Sequence, residues 1–110
     1  MNSPKRILLA VALAYAASLP AHADCVLPPA PSKIPDASTA SQQEMITAMQ
    51  TLKEYNGDVD TYTKCLEFEQ RRNRISFDDQ TKHRDIALNT LATVAAQFNE
   101  QVRRFKARHS

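Results

Sequence analysis

The sequence contains no tryptophan and only one glycine, Gly57. So little glycine leaves few sites for the tight turns of a many-stranded sheet, while the wealth of Ala, Leu, Glu, Gln, Lys and Arg favours helices. No Gly-rich phosphate loop, nucleophile elbow or Cys/His metal spacing is present. Two cysteines, Cys25 and Cys65, lie too far apart for a Cys-x-x-Cys redox motif, and no second pair exists to complete a cysteine zinc site. Histidine is limited to His22, His83 and His109. His83 lies on a polar stretch and His109 is the penultimate residue, so both read as solvated groups. His83-Arg84-Asp85 matches a kinase catalytic-loop triplet in letters alone, without the Gly-rich loop, the Lys or the chain length that fold needs. Asp58 and Asp60 supply too few oxygens for a calcium loop. Catalysis needs titratable groups gathered with shifted proton affinities, and no such set is legible. The expectation is a protein that is not an enzyme, with no cofactor and no metal.

Long apolar runs are also missing, apart from one at the start. Lys5 and Arg6 precede the 13 residues Ile7 to Leu19, followed by Pro20 and Ala21-His22-Ala23. A positive end, a short apolar run and small residues at the reading positions of a signal peptidase describe a cleavable secretory signal over residues 1–23. The run is short for a bilayer span; an uncleaved anchor is the alternative. Lipid attachment at Cys25 is disfavoured, because Asp24 stands where a small uncharged residue is wanted. The mature chain then begins near Asp24, carries no membrane-spanning segment, and belongs in the periplasm, with secretion as the alternative.

Removing the signal removes the net charge of +2, which resides in Lys5 and Arg6. The remaining 12 basic and 12 acidic residues cancel, so the basic isoelectric point gives no footing for nucleic-acid binding. The charge is unevenly spread. Residues 24–69 hold 3 basic and 8 acidic groups, and residues 70–110 hold 9 and 4. The halves, at −5 and +5, are complementary.

A mature chain of 87 residues is one domain, near the size at which a core alone is marginal and covalent staples are common. In an oxidising compartment the simplest pairing joins Cys25 to Cys65. Closing a loop of about 40 residues stabilises by roughly 4 kcal/mol in the chain-entropy model. Two free thiols or an intermolecular bridge are the other readings.

Four prolines, Pro28, Pro29, Pro31 and Pro35, forbid a helix in residues 24–40 and favour an extended strap. A disordered linker is the alternative, but Val26, Leu27 and Ile34 are apolar and favour a strap lying on the protein. Ser41-Gln42-Gln43-Glu44 then forms a capping box, opening a first helix over about 41–73. Met45, Ala48, Leu52, Tyr55, Val59, Tyr62 and Leu66 recur at spacings of 3 and 4, an apolar stripe along one face. The stripe keeps phase across Asn56-Gly57-Asp58, which favours a continuous helix over a break at Gly57. A second helix over about 77–108 is capped by Ser76-Phe77-Asp78-Asp79 and carries Leu88, Leu91, Ala95, Phe98, Val102 and Phe105. Leu66 against Leu88 and Met45 against Phe105 both set the turn near residues 75–77. The expected fold is all-α: an antiparallel, coiled-coil-like two-helix hairpin, residues 41–110, with the strap tied back to the first helix by the disulfide. The strap has the reach, since 16 extended residues span up to about 50 Å and the helix from Ser41 to Cys65 about 36 Å.

With Cys25, Ile34-Pro35-Asp36, Glu44-Met45, Tyr55-Asn56, Tyr62-Thr63-Lys64-Cys65-Leu66 and Phe98-Asn99-Glu100-Gln101 in view, the mature chain resembles a family of small uncharacterised exported (periplasmic) helical proteins of Gram-negative bacteria. The resemblance spans most of the mature chain through short motifs. It departs after the Ile-Pro-Asp step, where that family has Gly and this chain has Ala37, which bears on the turn there. The resemblance implies a location and a shape, and no activity.

The functional expectation is a non-enzymatic exported helical protein acting through protein–protein contacts. Arg71, Arg72 and Arg74 form a basic cluster at the hairpin tip, either a solvated helix end or a contact site for acidic partners or an anionic envelope surface. The cluster from Arg103 to Arg108 has the same two readings, one of them dipole compensation. A chaperone-like or envelope-surface binder using the tip is one alternative, and a small enzyme inhibitor another. A second copy of the chain is a further candidate partner, through a four-helix bundle.

Overall fold

The computed structural model describes residues 25–110; the expected signal segment 1–23 and Asp24 lie outside the described residues. Two helices follow an extended arm: α1 is Gln42–Arg71 and α2 is Phe77–Arg108. They pack on each other as an antiparallel hairpin, and no strand occurs among the described residues.

Each helix starts where its cap demands. The Ser41 hydroxyl accepts from the Glu44 amide at 3.1 Å, and the Ser76 hydroxyl from the Asp79 amide at 3.0 Å, satisfying donors that have no partner inside the helix. Asp78 and Asp79 add negative charge at the positive end of the α2 dipole. α1 runs unbroken through Gly57, where an added Cβ would meet nothing within 4 Å. No close approach requires glycine there.

α1 ends at Arg71, two residues earlier than the sequence suggests, because Asn73 takes a left-handed conformation with φ 58°. The Asn73 amide donates to the Gln70 carbonyl and the Arg74 amide to the Glu69 carbonyl. This paired closure is a Schellman motif, with Asn in the place usually held by Gly. An apolar contact commonly spans its outer positions; here the Arg74 guanidinium reaches the Glu69 carboxylate at 3.2 Å instead.

The core is a narrow seam. Tyr55, Val59, Tyr62 and Leu66 of α1 meet Ala87 and Val94 of α2, with Cys25, Ile34, Leu52, Ile75 and Leu91 packed around them. A second cluster at the open end joins Ala40, Met45 and Phe98 to Ala48, Val102 and Phe105. The α1 stripe lies where expected. The α2 stripe is rotated by one residue over its first half: Ala87 is fully buried while Leu88 is 42% exposed, and Val94 is buried while Ala95 is half-buried. The reason is steric. Opposite Tyr55, Val59 and Tyr62, all bulky and buried, the closest position suits alanine, and the larger Leu88 turns outward.

The strap runs back along α1. Cys25 is bonded to Cys65, with Cα atoms 5.7 Å apart; Ile34 enters the core beside Leu52, and Ala40 lies against Met45. Among the described residues no helix is long and apolar enough to cross a membrane.

Candidate functional site

Arg71, Arg72 and Arg74 are all exposed, but two of them are engaged within the chain. Arg71 closes the last turn of α1 and Arg72 caps it. The Arg72 guanidinium lies over the Phe68 ring, 5.2 Å from its centroid, a cation–π arrangement. Arg74 is committed to Glu69, whose side chain is buried. A carboxylate at that depth needs a partner, since desolvating it alone is costly. Two aromatic rings share this end: Phe68 is 45% and Phe77 64% exposed. The structure therefore brings Arg71, Arg72 and Arg74 to one end, but assigns Arg74 to an internal ion pair and adds Phe68 and Phe77 beside the other two.

Beneath the tip is an open pocket of about 620 Å³, lined by Cys25, Tyr62, Leu66, Glu69, Arg74, Ile75 and His83. His83 is exposed, at its rim. A second opening, about 740 Å³, lies between the strap and the helices, with Ile34, Pro35, Leu52, Val94 and Phe98 in its walls. Neither encloses an arrangement of nucleophile, base and oxyanion donors. Among the described residues no group of three or more His, Cys, Asp or Glu side chains is gathered as for a metal ion.

The C-terminal cluster turns out to be a fastening. Asp36 makes a tight turn, its carboxylate accepting from the Ser38 amide at 2.9 Å and the Ser38 hydroxyl at 2.7 Å. The Ser38 hydroxyl and amide hold the Asp36 carboxyl below its usual range. The turn presents the Ala37 amide to Gln101 Oε1 at 2.9 Å. It presents the Ser38 and Ala40 carbonyls to the Arg108 guanidinium at 2.7 and 2.8 Å. Ala37 is 1% exposed and has no left-handed φ, so this turn needs no glycine. Nearby, Glu100 accepts from both Arg103 and Arg104; the Arg103 bond foremost holds its carboxyl below the usual range. Thus Arg103, Arg104 and Arg108 all have partners within the chain. Nothing in the sequence marked Gln101 or Arg108 as strap ligands; the signal available was the Asp36-Ala37-Ser38 turn, whose outward carbonyls need donors.

Fold and surface together define a class: a small helical hairpin, strapped by a disulfide at one end and by a polar latch at the other. No family model, no curated protein and no solved structure matches the chain.

Proposed function

We propose that the protein is a non-enzymatic, exported helical module that acts by contact with another protein. The observation carrying this reading is large apolar side chains left open on a laced scaffold. Val26 is 78%, Ile86 50% and Phe77 64% exposed. A short chain tied by a disulfide and a latch gains little from such groups for its own stability, which leaves them available to meet a partner. The signal-like N-terminus argues for the periplasm, or secretion beyond it, and the resemblance to small exported helical proteins agrees with that. In-cell crosslinking of the envelope followed by capture of the protein tests the reading. A reproducible protein partner, lost when Phe77 and Ile86 become Ser, is expected. Robust catalytic turnover by the purified protein, or capture unchanged by those substitutions, refutes it.

A second reading uses the tip as a binder of client proteins or of the anionic envelope surface. Its support is the pairing of Phe68 and Phe77 with Arg71 and Arg72 at one end, an arrangement suited to an apolar-anionic boundary. Charge reversal at Arg71 and Arg72 should weaken binding to vesicles of anionic lipid, most at low salt. Unchanged binding makes the tip plain surface.

A further inference from the structure

The strap covers one side of the helix pair and leaves the other bare. On the strap side, Asp58, Thr61 and Cys65 of α1 meet Cys25, Val26 and Pro28. Asn56, Asp60 and Thr63, from the opposite side of α1, line a shallow cavity of about 250 Å³ with Leu88 and Leu91. Leu88, Ala92, Ala95 and Asn99 recur at spacings of 4, 3 and 4 along this side of α2. Leu88 and Ala92 are exposed and Ala95 is half-buried. On α1 the same side carries Met49, 40% exposed.

We infer that this bare face is the interface of a two-fold homodimer, in which α1 of one copy crosses over α2 of the other to form a four-helix bundle. Two observations name a second copy as the occupant. The first is area. The 30 residues of α1 span about 45 Å, and two helices side by side are about 20 Å wide. The face is therefore about 900 Å² per copy, against about 800 Å² per partner in a standard stable interface, and a two-fold axis along the helices lays the whole of it on the same face of the second copy. The second is the narrowness of the monomer's own core, a single seam between two helices; a second layer would bury Leu88 and Met49 as four-helix bundles bury theirs.

Sedimentation equilibrium of the oxidised protein, purified as the cell exports it, tests this. Twice the chain mass is expected at tens of micromolar. Leu88→Asp and Ala92→Arg, both at exposed positions, should weaken the dimer about tenfold or more while helical circular dichroism stays unchanged. Val26→Asp, on the strap side, should leave the mass doubled. A monomer at 100 micromolar overturns the inference, as does a dimer indifferent to both Leu88→Asp and Ala92→Arg. Loss of the dimer only on Val26→Asp places the interface elsewhere and overturns it too. Capture of a different protein by the tip is independent of all these outcomes.

Discussion

Replacing Cys25 and Cys65 together by serine should divide the strap into a loose part and a held part. The bridge joins residues 40 apart, which in the chain-entropy model contributes about 4 kcal/mol. That figure is a ceiling, because the folded state relaxes as well. Val26 and Leu27 are 78% and 50% exposed, so once the bridge is gone little apolar burial holds the first part of the arm, and it frays. The net loss expected is about 2–3 kcal/mol. A chain of about 90 residues has roughly 4–13 kcal/mol in total, so the variant folds with much less in reserve. Urea unfolding followed by far-ultraviolet circular dichroism measures this. With a slope of about 1 kcal/mol/M, the midpoint falls by about 2–3 M. Amide exchange then locates the change: protection at Ala37 and Ala40 persists, because Gln101 and Arg108 still hold the turn. A loss below about 1 kcal/mol refutes the loop-entropy argument. Loss of protection at Ala37 and Ala40 refutes the independence of the two fasteners.

Three further expectations rest on other parts of the molecule. Ala87→Leu should destabilise by about 1–3 kcal/mol through overpacking, whereas Leu88→Ala should change unfolding of the dilute protein by under about 0.5 kcal/mol; equal effects in urea titration contradict the rotated α2 stripe. Arg108→Ala should cost about 1–2 kcal/mol and speed proteolysis within residues 30–40, since two charge-assisted bonds to backbone carbonyls vanish at a partly exposed site; unchanged cleavage by a non-specific protease refutes the latch. Asp36 has a carboxyl held below its usual range by Ser38. Its contribution is therefore full above the unfolded-state value and is lost as pH falls through the folded one. Asp36→Asn should accordingly flatten the fall in melting temperature below about pH 4, and parallel acid limbs for variant and wild type show that the Ser38 bonds contribute nothing.

Much of the architecture was legible because it depends on local chemistry and on period. Ser41 and Ser76 are caps in the sequence and in the fold. The α1 stripe from Met45 to Leu66 is buried because aromatic and branched residues at 3-and-4 spacing leave one possible inner face. The bridge followed from having two cysteines and one chain. What period alone does not resolve is phase where small and large apolar residues sit side by side. Ala87 and Leu88 both fit a stripe, and the bulk of Tyr55 and Tyr62 across the seam decides which goes in. The candidate tip was legible as charge but not as commitment, since the Arg74–Glu69 pair depends on how α1 terminates at Asn73. The latch was illegible for a different reason. Its bonds join residues 64 to 70 apart through backbone groups of the strap, and a turn such as Asp36-Ala37-Ser38 does not say which distant side chain its backbone groups will meet.

The polar latch also orders events in time. Cys65 follows Cys25 by 40 residues, yet Gln101 and Arg108 come 36 and 43 residues later still. An arm delivered first thus waits for the last two turns of α2 before its near end can seat, and a chain cut before Gln101 would close its sulfur bridge and still leave Ala37 and Ala40 swinging. The end of α2 is thus a working part of the closure.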